Sequence, residues 1–259
     1  MSSSPLQAQA TFSFTSLWRS PTLTIARFML KSHIRSGWIL GDIVFIWFLY
    51  AAFFYEFGGD VAYFYGTMNE ALSALAVLST IVMTQRAMTA RMYLPLSRLS
   101  SRSAYIGGLI IATAFLRVPS FLLTLLLALG FHRHTPSFGI QGATFSNMLP
   151  GAIGLLLNTI FVALLTIVLY RPLATRLLQI IFLLWCVAML YSNTTINIVA
   201  QYLSIVHLPL IPITVCYSLG TGGAFDIYSF GMVLVTIGYT IVLAFLANFL
   251  LNRRDLILH

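Results

Sequence analysis

The sequence predicts an all-α membrane protein that crosses the bilayer several times. Hydrophobic residues make up 59% of the 259-residue chain and charged residues only 8%, whereas a soluble domain carries about 25% charged residues. Apolar segments close to the roughly 20 residues that a membrane helix needs recur along the chain. The 14 Lys+Arg outnumber the 6 Asp+Glu, and they gather in alternate loops. Together these features exclude a typical soluble enzyme, a disordered chain and a disulfide scaffold. Cys186 and Cys216 are the only cysteines, with no CxxC and no Cys/His cluster at metal-ligand spacing.

Residues 1–16 form a Ser/Thr/Gln-rich polar tail. No basic stretch precedes an apolar core there, so no cleavable signal is expected. Residues 17–37 predict an interfacial helix. Ser20 is a suitable N-cap, and Pro21 fits the first helical position. Arg27, Lys31 and Arg35 recur at i, i+4 and i+8 and so form one basic stripe. Leu23, Ala26, Leu30 and Ile34 form an adjacent apolar stripe, widened by Ile25, Phe28 and Met29. Such a helix lies in the membrane interface, anchored on anionic headgroups or also packed on a partner.

Residues 38–259 predict one transmembrane domain of six helices, over about 38–55, 67–84, 105–131, 149–170, 173–192 and 226–251. Pro150 suits the first turn of the fourth, and Arg176 can snorkel from the end of the fifth. The apolar stretch 196–219 is interrupted by His207, Pro209 and Pro212 and followed by Gly220, Gly222 and Gly223. Interior prolines free backbone groups that lipid cannot satisfy, so this stretch predicts a re-entrant pair of short helices. With six spans and both termini inside, all 14 basic residues except Arg117 and Arg133 fall on the cytoplasmic side. Glu56, Asp60, Glu70 and Asp226 gather on the other. Tyr50, Phe53, Phe54, Tyr55, Phe57, Tyr63, Phe64 and Tyr65 crowd the first outer hairpin and predict an interfacial aromatic belt.

The loop 85–103, QRAMTARMYLPLSRLSSRS, carries four arginines and no acid. Its Met88, Met92, Tyr93, Leu94 and Leu96 predict a short amphipathic helix ending near Pro95. That surface suits a partner protein, and a solvated loop on lipid headgroups is the alternative. Arg117 lies inside the third span, where an arginine costs about 2.5–3.5 kcal/mol on insertion scales. It predicts either a pathway-lining charge or a structural one, with Glu70 and Asp42 the acids nearest in depth. His207 predicts a turn residue. Gly107-Gly108, Gly151 and Gly154, and Gly231 and Gly238 predict close helix approaches. Asn193-Thr194-Thr195 matches a glycosylation sequon.

The interfacial helix, the amphipathic loop running from Tyr93-Leu-Pro-Leu-Ser-Arg98 to Tyr105-Ile-Gly-Gly108, the broken segment 196–219 and the short basic tail together resemble the membrane subunit of type 2 ABC (ATP-binding cassette) exporters. The resemblance covers essentially the whole chain and is more specific in layout than in motif. It implies that 85–103 is the coupling loop, with Arg86, Arg91, Met92, Tyr93 and Leu94 docking a separate ATPase subunit. It also implies that 17–37 is the elbow helix, and that 196–219 narrows an outer gate with His207, Pro209 and Pro212. Arg117 joins these as a pathway or gate residue. Two permease copies and two ATPases are then expected, with ATP and magnesium on the ATPases. Gln85-Arg86 departs from the acidic–basic pair often found there, which implies a different docking or an asymmetric pair.

No GxxxxGK[ST] phosphate loop occurs, and Lys31 is the only lysine. This chain is therefore expected to bind no nucleotide or metal cofactor, to carry no catalytic residue and to bind no nucleic acid. Its expected partners are the ATPase, a second permease copy and membrane lipid, in a bacterial inner membrane. The expected cargo is amphipathic or lipid-like: a drug, peptide or glycolipid. An ion-coupled carrier or channel is the first alternative. An intramembrane enzyme is the second, although no GxSxG and no paired intramembrane Asp occurs, and His132 and His134 lack a serine on a Gly-rich turn.

Overall fold

The structure is a computed structural model, and it describes residues 20–54, 59–87, 102–134, 140, 145–170, 176–177, 180, 219 and 227–253. The regular elements among them are helices: α1 (Pro21–Arg35), α2 (Trp38–Phe54), α3 (Val61–Ala87), α4 (Arg102–His134), α5 (Phe145–Leu169) and α6 (Ile227–Arg253). The spans α3 to α6 contain stretches long and apolar enough to cross a membrane: Val61–Arg86, Ser103–Leu127, Met148–Leu169 and Val233–Leu250. Helix α2 has 17 residues and so reaches about 25 Å. It joins α1 through a bend of 68°, and the bent pair together passes the same test. These helices are consistent with an integral membrane protein. The expected fifth span, the coupling loop beyond Ala87 and the 196–219 segment lie outside the described residues, apart from isolated positions.

Helix α1 begins as its sequence predicts. The Ser20 hydroxyl accepts from the Leu23 amide at 3.3 Å, and Pro21 opens the first turn. It ends at Gly37, whose φ of 77° is the only positive one among the described residues. Its amide donates to the Ile34 carbonyl, and its own carbonyl accepts from Leu40 as α2 starts. Only glycine enters this left-handed conformation without steric cost, so Gly37 sets the bend.

The buried side of α1 differs from the expected stripe. Ala26, Met29 and His33 face the protein, while Ile34 is 52% and Phe28 51% exposed. Arg27, Lys31 and Arg35 are exposed as a stripe, flanked by those two apolar side chains. The rotation follows from what α1 packs on. Its main neighbour is the start of α4, where Gly107 and Gly108 leave room for Thr22 and Ile25. A Cβ on Gly108 would lie 2.7 Å from Ile25 Cγ2 and 3.0 Å from the Thr22 carbonyl oxygen. The Gly107-Gly108 step is thus the seat of α1. Gly151 similarly admits the Tyr65 ring of α3 against α5. Among the described residues, nothing lies within 4 Å of a Cβ placed on Gly231 or Gly238.

Asp60 starts α3 earlier than hydropathy suggests. Its carboxylate accepts from the Tyr63 amide at 2.7 Å, which supplies an N-cap outside the apolar stretch. Helix α5 likewise begins at Phe145, so Pro150 stands inside it rather than in its first turn.

Two apolar clusters organise the bundle. One joins Ala26 and Met29 of α1 to Met83, Ile106, Leu109 and Ile167 from α3, α4 and α5, with Ala247 of α6. The other joins Ile46, Tyr50 and Phe54 of α2 to Phe64, Tyr65 and Met68 of α3. In this second cluster Phe54 contacts Tyr50, Tyr63 and Phe64 with ring centroids 5.3 to 5.8 Å apart. Tyr50, Phe54, Phe64 and Tyr65 are buried, and the Tyr65 hydroxyl donates to the Met148 carbonyl at 2.6 Å. The expected interfacial belt is therefore largely an aromatic core. Phe53 and Tyr63 are exposed, and Tyr55 and Phe57 lie outside the described residues. Aromatic rings bury large area, and tilted or edge-on pairs gain beyond it.

Candidate functional site

The site grows from the bend. Asp42, Ile46, Tyr50 and Phe54 recur every fourth residue and form the buried stripe of α2. Asp42 is its first member, one turn past Trp38. His33 is the last member of the buried face of α1. The turn at Gly37 folds one back toward the other, so that His33 Nε2 lies 3.6 Å from Asp42 Oδ2. His33 is 2% and Asp42 6% exposed.

Arg117 of α4 is a further buried ionisable residue. It is 2% exposed, the largest of the fully buried side chains among the described residues. Its Nη2 donates to the Ser79 hydroxyl at 2.5 Å, and that hydroxyl donates to the Leu75 carbonyl at 2.6 Å. Glu70, the other acid considered, is exposed and is no partner.

Arg86 of α3 sits over the Trp38 ring, 5.9 Å from its centroid, which brings the start of α2 to the end of α3.

Among the described residues, both ring nitrogens of His33, Asp42 Oδ2, Arg117 Nε and the hydroxyls of Thr80 and Thr84 are buried without a hydrogen-bond partner from the protein. A second polar contact joins α5 to α3. Asn158 Nδ2 donates to Asn69 Oδ1 at 2.6 Å and to Ser73 Oγ at 3.0 Å.

The sequence reading placed Arg117 inside the protein, and it is there. Arg86, an expected docking residue, stands at the end of α3 with its guanidinium over the Trp38 ring. Arg91, Met92, Tyr93, Leu94, His207, Pro209 and Pro212 lie outside the described residues. His33, Asn69 and Asn158 were passed over. The signal for His33 was its spacing of four from Met29 and seven from Ala26. For Asn158 it was an amide in the middle of an apolar run. No group of residues that could hold a metal ion occurs among the described residues.

Comparison of the chain with known protein families, with curated proteins and with solved structures finds no match.

Proposed function

We propose that the chain is the transmembrane permease subunit of an ABC exporter that moves an amphipathic or lipid-like cargo outward. The observation that carries the proposal is the seating of α1. A basic, interfacial helix bends by 68° into the first membrane helix. It rests on Gly107-Gly108, the glycines of the Tyr105-Ile-Gly-Gly108 motif. The resemblance implies an elbow helix over 17–37, and the packing of α1 on the start of α4, just after the 85–103 loop in sequence, supports that reading. Movement of that loop by a partner would reach α1 and α2 through the start of α4. Arg86, Arg91, Met92, Tyr93 and Leu94 dock the ATPase, a second permease copy completes the path, and ATP is hydrolysed on the partner chain.

The test is ATP-driven transport. The tagged protein, purified in mild detergent, carries an ATP-hydrolysing subunit, and reversing charge at Arg91 together with Tyr93→Ala releases it. Absence of that subunit, with transport that continues when ATP is depleted, overturns the proposal. The ion-coupled carrier is the second reading. What favours it is the buried His33, Asp42 and Arg117, since ionisable groups inside membranes often serve proton relays. Abolition of transport by a protonophore at constant ATP distinguishes it.

A further inference from the structure

We propose that Arg27, Lys31 and Arg35, the exposed basic stripe of α1, bind a phospholipid headgroup that carries two phosphate groups. This goes beyond the exporter proposal and needs only that the chain is an integral membrane protein.

The stripe has no counter-charge in the protein. Helix α1 itself carries no acid. None of the three side chains forms an ion pair or a hydrogen bond among the described residues. The acids among those residues are Asp42, Asp60 and Glu70. Asp42 lies against His33, and Asp60 caps the start of α3. Glu70 follows in the first half of α3, whereas it is the other end of α3, at Arg86, that meets Trp38 just past the bend.

The surroundings of the stripe fit a bilayer surface better than an acidic protein. Helix α1 turns by 68° into α2, so it lies across the first membrane helix at the level where that helix begins. Its inner face is already taken, with Ala26 and Met29 buried against the bundle. Beside the cations stand Phe28, 51% exposed, Ile34, 52%, and Trp38, 46%. Cations edged by large apolar side chains and a tryptophan match the interface, where phosphate and acyl chain meet within a few ångströms. Past the bend, α2 exposes Leu40, Val44 and Phe48 at every fourth residue, an apolar face for acyl chains.

Spacing selects the headgroup. Side chains four apart on a helix stand about 5–6 Å apart at Cβ, and the outer pair, eight apart, about 12 Å apart along the axis. Two phosphates on one short linker can therefore engage Lys31 together with Arg27 or with Arg35. The second contact is then intramolecular and gains from effective concentration. Two separate single-phosphate lipids have no such gain. Lys31 belongs to both close pairs, so it is the residue on which the preference turns.

The test titrates the full-length protein in mild detergent and counts bound lipid by native mass spectrometry. The probes are cardiolipin with two phosphates, phosphatidylglycerol with one, and pyrophosphate with two and no acyl chain. At equal phosphate concentration, cardiolipin is expected to bind at least about fivefold more tightly than phosphatidylglycerol, the gain from one more basic residue engaged. Lys31→Gln is expected to abolish that preference, while Arg27→Gln and Arg35→Gln each leave most of it. If Lys31→Gln fails to fold, the double variant Arg27→Gln with Arg35→Gln, which isolates Lys31, is expected to lose the preference instead. Equal binding per phosphate, or equal losses from the three single variants, means diffuse attraction to anionic lipid and overturns the proposal. Displacement of cardiolipin by pyrophosphate at equal phosphate concentration also overturns it, since the site would then serve free phosphate compounds.

Discussion

Replacing Gly108 by alanine tests the seat of α1. The new Cβ would lie 2.7 Å from Ile25 Cγ2, 2.8 Å from Ile25 Cβ and 3.0 Å from the Thr22 carbonyl oxygen. Carbon atoms pack best at about 3.5–4.0 Å, so α1 must retreat by about 1 Å. A gap of that size forfeits a quarter to a half of each contact it opens. Overpacking of this kind costs about 1–3 kcal/mol. Alanine also returns about 1 kcal/mol of helix propensity, which leaves a net loss of about 0–2 kcal/mol. Two controls fix the scale. At Gly107 the added Cβ meets only Thr22 Cγ2, at 2.9 Å, a side-chain end that can turn away, so Gly107→Ala is close to neutral. At Gly238 nothing lies within 4 Å among the described residues, so Gly238→Ala gains about 0.5–1 kcal/mol. The assay is unfolding by SDS titration in mixed micelles, with Ile25→Ala added to Gly108→Ala to relieve the contact. If Gly108→Ala stabilises as much as Gly238→Ala, α1 does not rest on this step.

Arg117→Met removes the charged donor from the buried Ser79 hydroxyl and is expected to cost about 1.5–3 kcal/mol in the same unfolding assay. Gly37→Ala forces an L residue into the left-handed region at φ 77°, a cost of about 1–2 kcal/mol, and spin labels at Ile34 and Leu40 report a changed bend. Neutralising Arg27, Lys31 and Arg35 with glutamine removes roughly 1 kcal/mol of attraction to anionic lipid per residue; mass spectrometry of the lipid retained on purification shows it as a loss of anionic species. Asn158→Ala removes two interhelical hydrogen bonds, each worth about 0.6 kcal/mol in a membrane protein, and lowers stability by about 1 kcal/mol.

The helices and their order were legible because hydropathy over some 20 residues and the N-cap chemistry of Ser20 are properties of contiguous sequence. So was the exposed stripe of Arg27, Lys31 and Arg35, since its period is that of a single helix. The presence of a buried charge at Arg117 followed from its position in an apolar run. Its hydrogen-bond partner, Ser79, did not. Which residue of α3 meets Arg117 depends on how far α4 slides along α3, and a sequence carries no record of that offset. The same ignorance made an aromatic cluster look like a membrane belt. Tyr50, Phe54, Phe64 and Tyr65 suit either setting, and only the pairing of α2 with α3 turns them inward.

The sequence by itself determined that this is a bundle of apolar helices preceded by a basic, amphipathic one, because composition and period settle which segments shun water. Only the tertiary structure decided which face of α1 is covered and where its histidine goes. Gly107 and Gly108 let α1 approach α4 closely, the left-handed Gly37 turns the chain, and those two constraints together bring His33 to Asp42. Neither is a property of one helix, since the seat joins α1 to an element far along the chain and the bend at Gly37 sets the angle between two neighbouring helices.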